Sequence, residues 1–213
     1  MVQQAVAGQG RGAAQQPGAR VLLPRAERRR AILAGAATAF AAAGFDGTSM
    51  EDIADAAGVS KLILYRHFDS KEELYRSILE AISGRLREES ALVVGGERRR
   101  GAFHRAFVAV AREDPDGFRL LWRHSAHEPR FAGYASKVRG VAEAFARNGV
   151  AARLPDPGLH EWAASVVVAY LVESVLAWLD HGDPGGDERF ADMGGLGLEA
   201  MIQSWTSSPG SGG

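Results

Sequence analysis

The chain has 213 residues, of which 46% are hydrophobic and 24% are charged, and its formal net charge is −1. This apolar fraction is enough for a packed core and excludes disorder of the whole chain, while the balanced charge excludes a histone-like or polybasic protein but still allows a local basic patch. The chain contains no cysteine, which excludes a disulfide scaffold, a thiolate zinc site, an iron–sulfur cluster and a cysteine nucleophile.

The two ends differ in composition from the rest of the chain. Residues 1–23 are mostly Gly, Gln and Ala, and residues 207–213 are mostly Ser, Pro and Gly, compositions that predict disordered tails. The N-terminal segment lacks the apolar centre of a secretory signal. No run of about 18 uncharged apolar residues predicts a membrane span. The cytoplasm is therefore the expected location.

Between the tails, the spacing of apolar residues predicts helices throughout, and the expected fold class is all-α. Pro24 is suited to open a first helix, which should end near residue 43 because Gly44 tolerates the left-handed conformation. A second helix capped by Thr48 or Ser49 should follow, and then a third over about 60–67. Further helices are predicted at 71–90, 97–113, 115–128, 130–148, 157–181 and 187–206, with proline residues between most of them.

The segment from Thr48 to Phe68 predicts two short helices joined by a turn at Gly58. Ile53 of the first helix can face inward, as can Leu64 and Phe68 of the second, which lie four residues apart. Small alanine residues allow the two helices to approach closely. This arrangement is a helix-turn-helix.

The second of these helices leaves a set of side chains free to point outward, namely Lys61, Leu62, Ile63, Tyr65 and His67. Apolar groups such as Leu62 and Ile63 can contact thymine methyl groups in the major groove of DNA. Tyr65 and His67 carry donors suited to phosphate oxygens, and Lys61 carries a positive charge. The pattern therefore favours a DNA-reading helix over a helical hairpin that only packs.

This segment resembles the DNA-binding domain of the TetR (tetracycline repressor) family. The matching positions read Ile-Ala-x-x-Ala-Gly-Val-Ser-x-x-x-Leu-Tyr-x-His-Phe over residues 53–68, preceded by Thr48 and followed by Ser-Lys-Glu at 70–72. The likeness extends over about residues 25–75. It implies an N-terminal three-helix DNA-binding domain at 24–70 and a C-terminal helical domain for effector binding and dimerisation at 71–206.

The resemblance also implies roles for individual residues. Phosphate contacts are implied for Thr48, Tyr65, His67 and Lys71, and positions nearest the bases for Lys61, Leu62 and Ile63. Thr48 and Lys71 suit phosphate on physical grounds as well, because they stand at helix N-termini. Many relatives carry smaller residues at the positions of Leu62 and Ile63, which leaves the individual base contacts open.

For the C-terminal domain, the resemblance implies dimerisation through the last two long helices, here 157–181 and 187–206. Both carry more apolar surface than one core stripe requires, although they could simply cover the core of their own chain. The ligand pocket of the family lies among the middle helices. The residues predicted to line it are Phe107, Leu121, Trp122, Tyr170 and Glu173. The alternative for Glu173, a surface or interface carboxylate, is the favoured one of the two.

The sequence thus predicts a repressor that binds a palindromic operator on double-stranded DNA as a homodimer and is released by an unidentified small-molecule effector. One alternative, an enzyme, has little support because no Gly-rich phosphate loop, Gly-x-Ser-x-Gly or His-Glu-x-x-His is present. The other alternative is a DNA-binding protein without an effector. No cofactor is predicted. His124 and His127 could share a helix face, but a metal site needs further ligands, and none is predicted.

Overall fold

A computed structural model describes residues 24–96 and 99–206, and every regular element in these ranges is helical. The all-α prediction is therefore confirmed. The tails predicted at 1–23 and 207–213 lie outside the described residues. The helices are α1 (Arg25–Gly47), α2 (Met50–Ala56), α3 (Lys61–Tyr65), α4 (Lys71–Gly95), α5 (Ala102–Glu113), α6 (Pro115–Arg119), α7 (Ala132–Ala151), α8 (His160–His181) and α9 (Asp187–Thr206).

The first three helices form a small bundle around a buried apolar centre. Ile32 and Phe40 of α1 are fully buried together with Ile53 of α2 and Leu64 of α3. The predicted end of α1 at residue 43 is only partly right. Gly44 has a positive φ of 72°, which kinks the chain, but helical hydrogen bonding resumes after it and continues to Gly47.

Helix α4 belongs to both halves of the molecule. Its first turn is capped by Ser70, whose hydroxyl accepts a hydrogen bond from the backbone N–H of Glu73 at 3.1 Å. It runs to Gly95, about one turn beyond the predicted end at residue 90. The apolar side chains of α4 join one continuous buried cluster that extends from α1 to α8.

The segment predicted as a single helix over 115–128 has three different helical geometries. After α6 comes a π-helical turn at Leu120–His124 and then a 3₁₀ turn at Ser125–His127. Similarly, the helix predicted from residue 97 begins only at Ala102, because Gly101 precedes it with a φ of 69°. A change of helical pitch leaves the apolar spacing of the sequence almost unaltered, so the pattern alone could not reveal the π-helical and 3₁₀ turns.

Helices α8 and α9 complete the C-terminal half. Seven apolar residues of α8 are buried; five of them, including Val172 and Leu176, belong to the main core, and Ala163 packs beside Val150 of α7. The stretch Pro157–His181 is long and apolar enough by composition to cross a membrane, since an 18-residue window within it has a mean hydropathy of 1.7. This is weak evidence for a span, because core helices pass the same test.

Candidate DNA-binding interface and ligand cavity

Short-range hydrogen bonds fix the start of α2 and the start of α3, and a glycine makes the turn between the two helices. Ser49 and Asp52 form a capping box, in which the Ser49 hydroxyl accepts from the Asp52 N–H at 3.1 Å and the Asp52 carboxylate accepts from the Ser49 N–H at 2.8 Å. Gly58 makes the turn with a φ of 64°. Ser60 then caps α3 by accepting from the Ile63 N–H at 3.3 Å. These caps fix the direction of α3.

Helix α3 places its apolar and polar side chains on different sides. Leu64 is fully buried, whereas Leu62 is 64% exposed and Tyr65 is 45% exposed. Ile63 is only half-buried, so it presents less surface than Leu62. Lys61 is exposed and lies 3.7 Å from the carboxylate of Glu51. An exposed leucine beside a tyrosine hydroxyl and a lysine suits contact with both bases and backbone of DNA.

Positive charge from α1 gathers beside the end of α3. His67 is half-buried, and this partial burial lowers its pKa, with the nearby guanidinium groups of Arg25, Arg28 and Arg29 lowering it further. Arg29 also lies with its guanidinium carbon 5.1 Å from the centre of the Phe68 ring. These arginines at the start of α1 therefore form a basic patch with His67.

The structure gives Thr48 and Lys71 internal partners. Thr48 is 2% exposed, and its hydroxyl donates to the carbonyl oxygens of Gly44 and Ala39 at 2.6 and 3.2 Å. The Lys71 ammonium donates to the carbonyl oxygens of Phe45 and Thr48 at 2.8 and 3.1 Å. To hold a phosphate, the Thr48 hydroxyl would have to give up these bonds, whereas the Lys71 ammonium has a third N–H that it can still donate. In this geometry both groups fix the corner between α1 and α2.

An aromatic cluster connects this corner to the C-terminal half. Phe131, the residue before α7, stacks on Tyr75 of α4 with ring centres 4.2 Å apart and meets Phe45 edge-on at 5.3 Å. Burial raises the pKa of Tyr75 to about 12, with the carboxylate of Glu128 as the smaller cause. Arg130 lies over the Phe45 ring and donates to Asp46 at 3.2 Å. Phe45, Tyr75 and Phe131 are called the interdomain aromatic cluster below.

A cavity of about 250 Å³ opens next to this cluster. Two of the five predicted pocket residues, Leu121 and Trp122, are part of its wall. The whole lining consists of Leu121, Trp122, Ala126, Ala132, Ala135, Ser136 and Arg139. Arg139 was not among the predicted residues, because an arginine within a polar helix face gives no sequence signal for a cavity.

The other three predicted pocket residues lie elsewhere. Phe107 is buried in the main core. Tyr170 is half-buried and contacts the ring of His104 at 5.7 Å between ring centres. Glu173 is exposed on α8. Arg119 and Arg123, two arginines that could have paired with a buried Glu173, donate to Asp180 at 3.0 and 2.8 Å.

Two buried polar groups in this half have no hydrogen-bond partner within the described part of the chain. They are Nε2 of His104 and Nε1 of Trp122. Burial lowers the pKa of His104 to about 4, which keeps the imidazole neutral. Over residues 24–96 and 99–206, no group of three or more His, Cys, Asp or Glu side chains is placed to hold a metal ion.

The fold and the exposed α3 face define a helix-turn-helix DNA-binding protein with an added helical domain. Comparison with known families places a match to the bacterial regulatory proteins of the tetR family at residues 32–78. The HTH-type transcriptional activator FasR of Mycolicibacterium smegmatis is 33% identical over 172 residues, which cover 76% of this chain and 77% of FasR. The HTH-type transcriptional repressor KstR2 of Rhodococcus jostii is 48% identical over 65 residues, 29% of this chain and 32% of KstR2.

Solved structures show the same fold. A TetR-like transcriptional regulator from Rhodococcus sp. RHA1 superposes with a TM-score of 0.71 at 20% identity, over 88% of this chain and 100% of that one. AibR, crystallised with isovaleryl coenzyme A and operator DNA, gives a TM-score of 0.57 at 23% identity, over 79% of this chain and 97% of AibR. The chain belongs to the TetR family of DNA-binding transcriptional regulators, as its helix-turn-helix pattern predicted.

Proposed function

We propose that this protein is a ligand-responsive regulator that works in the cytoplasm and binds a palindromic operator as a homodimer. The observation that carries the proposal is the exposed face of α3, where Leu62 and Tyr65 project beside the basic patch of α1. One short helix reads only a few base pairs, so family proteins of this design need two copies of it. Dimerisation supplies the second copy.

The surface of α8 and α9 supports a dimer. Trp162, Met193 and Leu196 are between 47% and 59% exposed, a large apolar area for a surface in water. Two-fold pairing of this surface with itself would bury those side chains against one another. The alternative raised by the sequence, that α8 and α9 only cover their own core, leaves these exposed side chains unexplained.

The sequence predicts repression, and the relatives bear on that direction. KstR2, named a repressor, matches over 65 residues, 29% of this chain. FasR, named an activator, matches over 172 residues, 76% of this chain. A regulator bound at its operator represses or activates according to where the operator lies relative to the promoter, and release by ligand ends that effect. Repression therefore remains our first proposal, and activation is the second candidate on the strength of the longer match.

The cavity beside the interdomain aromatic cluster supports an effector. AibR, of similar fold, binds both isovaleryl coenzyme A and operator DNA. In this chain a ligand in the cavity would press on the start of α7, directly after Phe131. Phe131 in turn packs on Phe45 and Tyr75, so its displacement would move α4 and the DNA-binding helices together. A ligand that binds one arrangement more tightly shifts the population of the other.

The dimer is tested by replacing Leu196 with glutamate. A carboxylate at this position would have to lose its water in the interface, which is costly without a partner. We expect Leu196→Glu to sediment as a monomer at micromolar concentration and to lose operator binding. Leu92→Glu is the matched control, because Leu92 is also exposed but lies on α4. A Leu196→Glu variant that stays dimeric and binds DNA normally would rule out this interface.

A further inference from the structure

Arg139 differs from the other half-buried arginines of the C-terminal half. Those arginines each donate to at least one carboxylate at 2.8 to 3.0 Å, and they are Arg85, Arg105, Arg112, Arg119 and Arg123. Arg139 has no carboxylate within ion-pair distance among the described residues. Its guanidinium carbon lies 5.6 Å from the centre of the Trp122 ring, at the wall of the cavity. A half-buried cation without a counter-ion is a ready site for an anion.

Trp122 adds a second unsatisfied group at the same wall. It is 8% exposed, and its indole N–H is buried with no acceptor within the described part of the chain. A buried donor without a partner costs more than a typical hydrogen bond gains. An oxygen atom of a molecule bound beside Trp122 could supply the missing acceptor after a small rotation of the ring.

The remaining lining residues and the cavity volume determine the size and polarity of the ligand that can bind. Leu121, Ala126, Ala132 and Ala135 are apolar, so they favour a hydrocarbon body. The volume of about 250 Å³ lies just below the usual range of about 300–1,000 Å³ for drug-sized ligands. The cavity thus combines one cation with a short apolar wall that includes Trp122.

We propose that this cavity binds a small organic carboxylate, with its carboxylate on Arg139 and its apolar body against Trp122 and the alanines. One guanidinium pairs with one carboxylate through two parallel hydrogen bonds, whereas a phosphate dianion would leave a charge uncompensated. An effect of the carboxylate on operator affinity depends on the proposed function. Binding of the carboxylate to the cavity does not depend on it.

The proposal is tested on the full-length protein by calorimetric titration in the absence of DNA. Hexanoate and benzoate are the probes, and hexanol and benzyl alcohol are the neutral matches of the same size. Phenyl phosphate is the second anion. We expect the carboxylates to bind at least about tenfold more tightly than the alcohols, which lack the charge-assisted bond. Equal binding of alcohols and carboxylates, or tighter binding of phenyl phosphate than of benzoate, would overturn the assignment.

Variants locate the site. Arg139→Gln should weaken carboxylate binding by about 10- to 100-fold, and Arg139→Lys by less, because lysine keeps the charge but not the paired bonds. Lys137→Gln is the control, since it removes one charge from an exposed position on the same helix. Unchanged binding in Arg139→Gln, or equal loss in Lys137→Gln, would contradict the proposal.

Nuclear magnetic resonance supplies a readout that does not depend on affinity alone. The chain has four tryptophans, so ¹⁵N-labelled protein should give four indole N–H signals, and Trp122→Phe identifies the one that belongs to Trp122. Benzoate should shift that signal, and a saturating titration that leaves it in place would overturn the site. Because no DNA is present, these failures are distinct from a failure to bind an operator, which would refute only the proposed function.

Discussion

Tyr65 is expected to hold the DNA backbone without reading the sequence. Its hydroxyl is on the exposed face of α3, where a phosphate oxygen can accept from it. Tyr65→Phe removes that hydroxyl alone and should weaken binding by about 1 kcal/mol, or roughly fivefold, on operator and random DNA alike. Tyr170→Phe in α8 is the control. A loss confined to the operator, measured by fluorescence anisotropy, would mean that Tyr65 reads a base.

Leu62, unlike Tyr65, is expected to determine which bases are preferred and to contribute little to the affinity for random DNA. At 64% exposure it is the most exposed large apolar side chain of α3, and it is expected to contact thymine methyl groups. Leu62→Ala should therefore change the preferred bases at one position of each half-site while leaving binding to random DNA nearly unchanged. Selection from a random DNA pool gives both preferences. Identical preferred sequences for the wild type and the variant would exclude a base-reading role.

His67 should make DNA binding depend on pH. Its pKa in the free protein lies below the ordinary value of 6.5, because of partial burial and the neighbouring arginines. A bound phosphate favours the charged imidazole and raises the pKa in the complex. Protons are then taken up on binding, so operator affinity should increase as the pH falls through the interval between the two pKa values.

The matched variant for this effect is His67→Gln, which retains a hydrogen-bond donor but does not titrate. His67 is the one histidine in residues 24–70. We expect the pH dependence between about pH 7.5 and 5.5 to flatten in this variant. Binding that weakens toward acid pH in the wild type, or an unchanged slope in His67→Gln, would show that His67 does not contact phosphate.

At the scale of helices, the contact between α1 and α2 depends on a residue without a side chain. A Cβ atom at Gly35 would lie 2.6 Å from the backbone N and Cα of Ala57, closer than atoms can approach. Gly35→Ala should therefore separate the two helices and destabilise the protein by about 1–3 kcal/mol. Because α2 positions α3, DNA binding should fall as well.

Gly84 provides the comparison within α4. A Cβ atom there would have no neighbour within 4 Å, and the residue is helical. Gly84→Ala should stabilise the protein by about 0.5–1 kcal/mol, since alanine loses less backbone entropy on folding. Urea unfolding measures both variants. Equal effects of the two substitutions would show that the approach of α1 and α2 is not limited by Gly35.

Helix positions followed from the sequence where local signals specify them. Ser49, one of the two predicted caps, caps α2, and Ser60 and Ser70 cap α3 and α4 in the same way. The pitch changes at Leu120–His124 and Ser125–His127 were missed, because they arise from packing against other helices and not from local sequence. The kink at Gly44 was predicted as a helix end, since a glycine with positive φ allows either outcome.

The outward face of α3 was also predictable, because a short helix beside a core has only one buried side. Leu121 and Trp122 line the cavity together with Arg139, whereas Glu173 is exposed on α8. Whether a charged side chain lines a cavity or faces water depends on which helices meet around it. The same holds for Thr48 and Lys71, whose internal acceptors come from a chain reversal that spacing does not describe.

At the scale of the whole molecule, three structural features are connected in series. The exposed α3 face would bind DNA, the interdomain aromatic cluster ties its supporting helices to the start of α7, and the cavity adjoins that start. The effector would then lower the affinity for the operator, and the operator would lower the affinity for the effector by the same factor, because coupling between two binding sites is reciprocal. The regulatory effect of this connection depends on the protein recognising a specific, two-fold operator.

Selection of full-length protein on random double-stranded DNA, followed by sedimentation of the selected complex, tests that claim most directly. We predict an inverted repeat whose half-sites face the same side of the duplex, with centres about 34–36 Å apart or a multiple of that distance, and complexes built from protein dimers. Enrichment of a single unrepeated half-site bound by one chain, or no enriched sequence at all, would contradict the account.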